Sequence, residues 1–140
     1  VKIGTGPVEV KVAGKDGSPA FVVRAQSSEI EVEKGGSQSG LERVDGEIFQ
    51  QGKVAARFSA SRGQVDQASR SLLATGSVVV RDTKRGIALR ADRVRYREGE
   101  AKLVASGRVT VSSESWRIGP FDQLAATPDL SRVGTPDRMR

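Results

Sequence analysis

The alternation of apolar and polar positions divides the chain into short strands. Ile87, Leu89 and Ala91 share one parity, with Ala88, Arg90 and Asp92 on the other, the period-two signature of a half-buried strand. Val94 and Tyr96 then alternate with Arg93, Arg95 and Arg97. The inward parity changes between Ala91 and Val94, which predicts a bulge or bend there. Leu103, Ala105, Gly107, Val109 and Val111 form a second alternating face. No long stripe at helical spacing occurs, and the best helical candidate is the short stretch 121–126.

The pattern repeats. Leu72-Leu73-Ala74-Thr75-Gly76-Ser77-Val78-Val79-Val80 matches Leu103-Val104-Ala105-Ser106-Gly107-Arg108-Val109-Thr110-Val111 at a constant offset of 31 residues. Phe58-Ser59-Ala60 matches Leu89-Arg90-Ala91 at the same offset, and Val65 falls opposite Tyr96. A looser third copy opens with Val23-Arg24-Ala25 and continues with Gly46-Glu47-Ile48. Self-similarity on this scale marks a stacked repeat. Turn signals separate the strands at 14–19, 82–86 and 97–100, and the Gly/Ser-rich stretch 35–40 reads as a loop. The reading is a single all-β domain over 1–126, eight to ten antiparallel strands stacked by repetition. A partly disordered tail is expected over 127–140.

Composition sharpens this picture. The 140 residues fit one domain, yet apolar residues make up 36% and aromatics 4%, lean for a thick core. Charges of mixed sign and frequent valine argue against disorder, so a thin, extended structure is expected. The chain begins at Val1, which suggests a processed or trimmed chain whose leader or anchor would precede it. The net charge of +6 points to anionic partners.

Candidate chemistry narrows quickly. The chain has neither histidine nor cysteine, which removes histidine-dependent nucleophiles, thiolate chemistry and His/Cys zinc sites. Glu29, Glu31 and Glu33 share one strand parity opposite Ile30 and Val32. They invite comparison with a cation site or a glycosidase pair, but are read as the solvated side of an amphipathic strand. Ser59, Ser61, Ser112, Ser113 and Ser115 have no base to activate them. Gly35-Gly36 lacks the ending of a phosphate loop. Arg93, Arg95 and Arg97 align on one face, as a phosphate contact or, in the preferred reading, as a solubilising outer surface. Tyr96 is the only aromatic among them, so no stacking platform for nucleic acid is evident. No enzyme activity, cofactor or metal is expected.

The apolar face is the remaining candidate. Phe58, Val65, Leu72, Val78, Val80, Leu89, Tyr96, Leu103, Val109 and Val111 recur in register, interleaved with small residues at Ala60, Ala74, Gly76, Ala91, Ala105 and Gly107. An ordinary filled sandwich core is one reading. A channel for an elongated apolar ligand is the other, because small inward residues leave room that a filled core would close.

Leu89-Arg90-Ala91-Asp92-Arg93-Val94-Arg95-Tyr96, a turn, then Leu103-Val104-Ala105-Ser106-Gly107-Arg108-Val109-Thr110-Val111 resembles the OstA-like domain of lipopolysaccharide-transport proteins, shared by LptA and LptC. The resemblance spans roughly residues 5–125. The opening around 16–25 is more similar to LptC-like members, with LptA a close second. It implies a twisted, V-shaped β-jellyroll in the periplasm, inner-membrane anchored where an N-terminal segment is present. Lipopolysaccharide or a related lipid would place its acyl chains between two facing sheets. The implied groove residues are Phe58, Val65, Leu72, Val78, Val80, Leu89, Ala91, Tyr96, Leu103, Ala105, Val109 and Val111. The implied partners are other OstA-like domains and an inner-membrane ABC transporter, joined by strand addition at the edges 8–12 and 109–118. A structural or adhesive β-repeat without a lipid ligand is the alternative.

Overall fold

Each 31-residue unit is a hairpin of two long, bent strands. The computed structural model describes residues 2–31 and 37–135, and the side chains of 6–27 and 40–135. The described residues form eleven strands: β1 Lys2–Thr5, β2 Val8–Ala13, β3 Pro19–Ala25, β4 Ser27–Glu31, β5 Ser37–Gln50, β6 Lys53–Asp66, β7 Ser71–Asp82, β8 Ala88–Arg97, β9 Lys102–Ser112, β10 Arg117–Ala126 and β11 Val133–Gly134. All pairings are antiparallel. The hairpin β6–β7 repeats as β8–β9, and β3–β4 with β5 forms the looser third unit. The turns expected at 14–19, 82–86 and 97–100 are all present, the last as a single 3-10 turn.

The bend has a local cause. On β7 one extra residue is accommodated at Gly76-Ser77, between the pairs Thr75↔Arg93 and Val78↔Ala91. On β9 the extra residue lies between Ser106↔Arg93 and Thr110↔Arg90, around Gly107-Arg108. Both dipeptides are left-handed: φ is +81° and +49° at the first, +80° and +51° at the second. A bulge of this kind turns the strand and raises its twist, and the glycines supply the positive φ without steric cost. The parity switch expected between Ala91 and Val94 is the partner-strand record of these bulges.

Bent strands fold one continuous sheet onto itself. Half-sheet I runs β2-β3-β5-β6-β7-β8-β9 and ends on the first part of β10, where Arg117, Ile118 and Phe121 pair with β9. Half-sheet II runs β1-β4-β5 through β9 to the second part of β10 and then β11. Phe21 of half-sheet I meets Tyr96 of half-sheet II edge-to-face, with ring centroids 5.9 Å apart, and one apolar cluster joins the two inner faces. This is the jellyroll-like, all-β arrangement expected.

Three local expectations change. Residues 121–126 belong to β10 rather than a helix, since Leu124 and Ala126 pair with Ala105 and Leu103 of the inner row. Ser37–Gly40 lie within β5 instead of a loop, while Gly35, Gly36, Val32 and Glu33 fall outside the described residues, as do the side chains of Glu29, Ile30 and Glu31. The start of the C-terminal segment packs back: Pro128 and Leu130 are buried and Val133 pairs with Ala126. Residues 136–140 lie outside the described part.

Candidate functional site

All twelve expected groove residues lie on the inner faces and are buried. Phe58, Val80, Leu89 and Val111 stand side by side across four strands of half-sheet I. Val78 pairs with Ala91 beside them. Val65, Leu72, Tyr96 and Leu103 form the corresponding row of half-sheet II, with Ala105 next to it opposite Val94. Two of the small residues expected to widen the interior do something else. Gly76 is exposed and Gly107 half-exposed; they sit at the bulges, where the extra residue removes them from the inward parity. Gly46, aligned with them in the third copy, is a different kind of glycine. It is buried in the inner row opposite Val23 and Phe58. A Cβ there would overlap the Val22 carbonyl and stand 2.8 Å from the Phe58 ring.

The inner row does not stop at the closed core. Ile118 pairs with Val111 and Phe121 with Val109, so both belong to the inner face of half-sheet I. Val111 and Val109 are almost fully covered, yet Ile118 is 48% and Phe121 40% exposed. Trp116, in the turn that leads into β10, is 44% exposed. The apolar row therefore continues uncovered onto this edge, where β10 has a single neighbour between Arg117 and Phe121 among the described residues. The sequence reading placed the edge at 109–118, but Val109–Ser112 are flanked on both sides. The free edge is Arg117–Phe121. Its apolar character is masked in the sequence because the Gly119-Pro120 step interrupts the alternation.

The opposite edge is β2, paired among the described residues only to β3. Val10 and Val12 point inward and are buried, while Glu9 and Lys11 are exposed and ion-paired at 3.4 Å. Arg24 ties this edge together, facing Glu9 at 3.9 Å and Asp45 at 3.1 Å, and bonding Glu47. The hydrogen bond to Glu47 raises the guanidinium pKa further above its usual value.

At one end of the sandwich a depression of about 700 Å³ separates the half-sheets, lined by Asp16, Phe49, Lys53, Asp82, Arg85, Tyr96 and Glu98 among others. Asp82 is the organising group. Burial works to raise its pKa, but the N–H groups of Arg85, Ile87 and Lys84 and the Arg85 side chain outweigh it and hold the carboxyl below the usual range. Arg85 also donates to the Asp129 carbonyl at 2.9 Å, which pins the C-terminal segment over this end. Tyr96 forms the back wall. Burial, with Glu98 nearby, pushes its hydroxyl up to about 12. Among the described residues no three acidic side chains converge as a metal site would require. Arg93 and Arg95 are exposed on the outer face of half-sheet II, and Arg97 reaches Glu100 at 3.4 Å.

No protein-family model matches the chain, and no curated protein matches its sequence.

Proposed function

We propose that the protein is a non-catalytic lipid carrier that takes the acyl chains of lipopolysaccharide or a related lipid between its half-sheets. The observation that carries this reading is the continuation of the buried inner row into Ile118 and Phe121, inward-facing yet exposed. Neighbouring large apolar side chains left exposed at the margin of a core are the kind of patch that marks a ligand or partner site. The resemblance to OstA-like domains points the same way and suggests a periplasmic bridge powered by an ATP-driven transporter elsewhere. A similar domain would add a strand at the β2 edge, where the backbone has one neighbour among the described residues.

One observation favours a second reading, a structural β-repeat without ligand: the twelve interior positions are covered by the chain's own side chains. A carrier must then part its half-sheets to load. Mass spectrometry of lipid extracted from the purified chain separates the two, together with photo-crosslinkers at Leu89 and Phe121. Acyl-chain adducts at both sites support the carrier. A folded protein that yields no lipid and no adduct leaves the structural module.

A further inference from the structure

We infer that the outer face of half-sheet I, at the β10 edge, is a docking surface for an anionic lipid bilayer. Arg57 on β6 stands directly opposite Arg81 on β7. Arg81 pairs with Ala88, Ala88 with Ser112, and Ser112 with Arg117. Arg90, one row away, reaches the Ser112 hydroxyl at 3.2 Å. Each of these arginines is exposed, and Arg57, Arg81 and Arg90 alternate with buried residues such as Phe58, Val80 and Leu89. None of them is in an ion pair among the described residues.

Like charges directly opposite on neighbouring strands are destabilising, and the same sheet shows how they can be neutralised. At the β2 edge Arg24 gathers Glu9, Asp45 and Glu47. Towards β10 the arginines outnumber the acids: Asp92 is held by Arg108 at 2.9 Å, and Glu114 and Asp122 are the exposed acids beside this edge. From β6 to β10 the row spans roughly 19 Å at about 4.8 Å per strand. That width suits a field of headgroups better than a single phosphate.

The apolar part of the patch selects a bilayer over nucleic acid. Trp116 sits in the turn beside Arg117, and Ile118 and Phe121 follow on the same edge. Tryptophan with aliphatic and aromatic neighbours, flanked by arginine, is the composition of the headgroup boundary. An aliphatic Ile118 between the aromatics offers no base-stacking platform. Glu114 in the same turn and Asp122 on β10 offset part of this positive charge, so the arginines of β6 to β8 carry most of the attraction. Ile118 and Phe121 extend from the inner side of this edge, so docking sets the arginine face on the headgroups with the apolar lip of the sheet beside them. The docking does not rest on the carrier reading above.

The test uses the intact chain with phosphatidylcholine vesicles, with and without phosphatidylglycerol. Trp116 is the only tryptophan, so its emission reports directly on this corner. The expected result is sedimentation with the phosphatidylglycerol vesicles, weakening as salt is raised, with a blue-shifted Trp116 emission that brominated lipid quenches. Each arginine near an anionic surface is worth roughly fivefold in partitioning, so the pair Arg81→Thr and Arg90→Thr lowers it about 25-fold. The pair Arg62→Thr and Arg95→Thr removes the same charge from half-sheet II and leaves binding within about twofold if the patch, rather than net charge, is responsible. Equal losses from both pairs overturn the proposal, as does an unshifted Trp116 or binding to RNA without binding to vesicles. Vesicle docking by a protein that carries no extractable lipid upholds this surface and removes the carrier reading.

Discussion

At the residue scale, the least replaceable side chains are those that are missing. Gly46→Ala would drive a methyl into the Val22 carbonyl and the Phe58 ring, so it should cost about 3 kcal/mol or more, the upper range for overpacking. Gly107 has φ of +80° and its Cβ would stand 2.8 Å from that of Asp92. Gly107→Ala should lose about 1–2 kcal/mol. Urea denaturation of both variants checks the order. Two titrations add a pH signature. Asp82 is held below its ordinary 3.8, so its contribution is complete above that value and is lost as pH falls through the lower folded pKa. Asp82→Asn should flatten the acid limb of a stability–pH profile. Tyr96 is shifted the other way, from 10.0 to about 12. Its stabilisation is complete below pH 10 and disappears as pH rises towards 12, a loss that Tyr96→Phe removes.

At the scale of elements, the repeated hairpins differ in how well they are covered. β7 and β8 have strand neighbours on both sides, whereas the start of β10 and the two-residue β11 do not. Hydrogen exchange should find the amides of β7 and β8 opening only with global unfolding. Those of Arg117–Phe121 and Val133–Gly134 should exchange through local fraying. Uniform protection across all four would contradict this ordering. The strands themselves were legible because each has one wet and one dry face. β10 was not, because Ile118 and Phe121 keep inward parity across an irregular Gly119-Pro120 step and then Leu124 and Ala126 resume it. A local pattern broken this way mimics helical spacing, and the pairing with β9 that resolves it is non-local.

At the scale of the molecule, closure of the interior decides which variants are informative. Val78 is 1% exposed, so a charge placed there is buried without a partner and should unfold the domain instead of merely blocking a ligand. Phe121→Lys is the better probe. An exposed edge position should tolerate it within about 0.5 kcal/mol, while capture of an apolar fluorescent probe or lipid falls if the opening at β10 is the entrance. Unchanged capture with an unchanged melting curve would remove that entrance from consideration.

The sequence by itself determined the alternation, the 31-residue hairpin unit and the inward set from Phe58 to Val111, because a strand's two faces meet water and core separately at every second residue. It also located the bend between Ala91 and Val94, since a bulge leaves its mark as a parity switch. Only the tertiary structure decided that Gly76 and Gly107 are hinges of the strands and not space in the interior. It alone placed Phe21 on Tyr96, left Ile118 and Phe121 uncovered, and brought Arg57, Arg81, Arg90 and Arg117 onto one face. Those outcomes depend on register and on which edges acquire neighbours, and both are set by contacts between residues far apart in the chain.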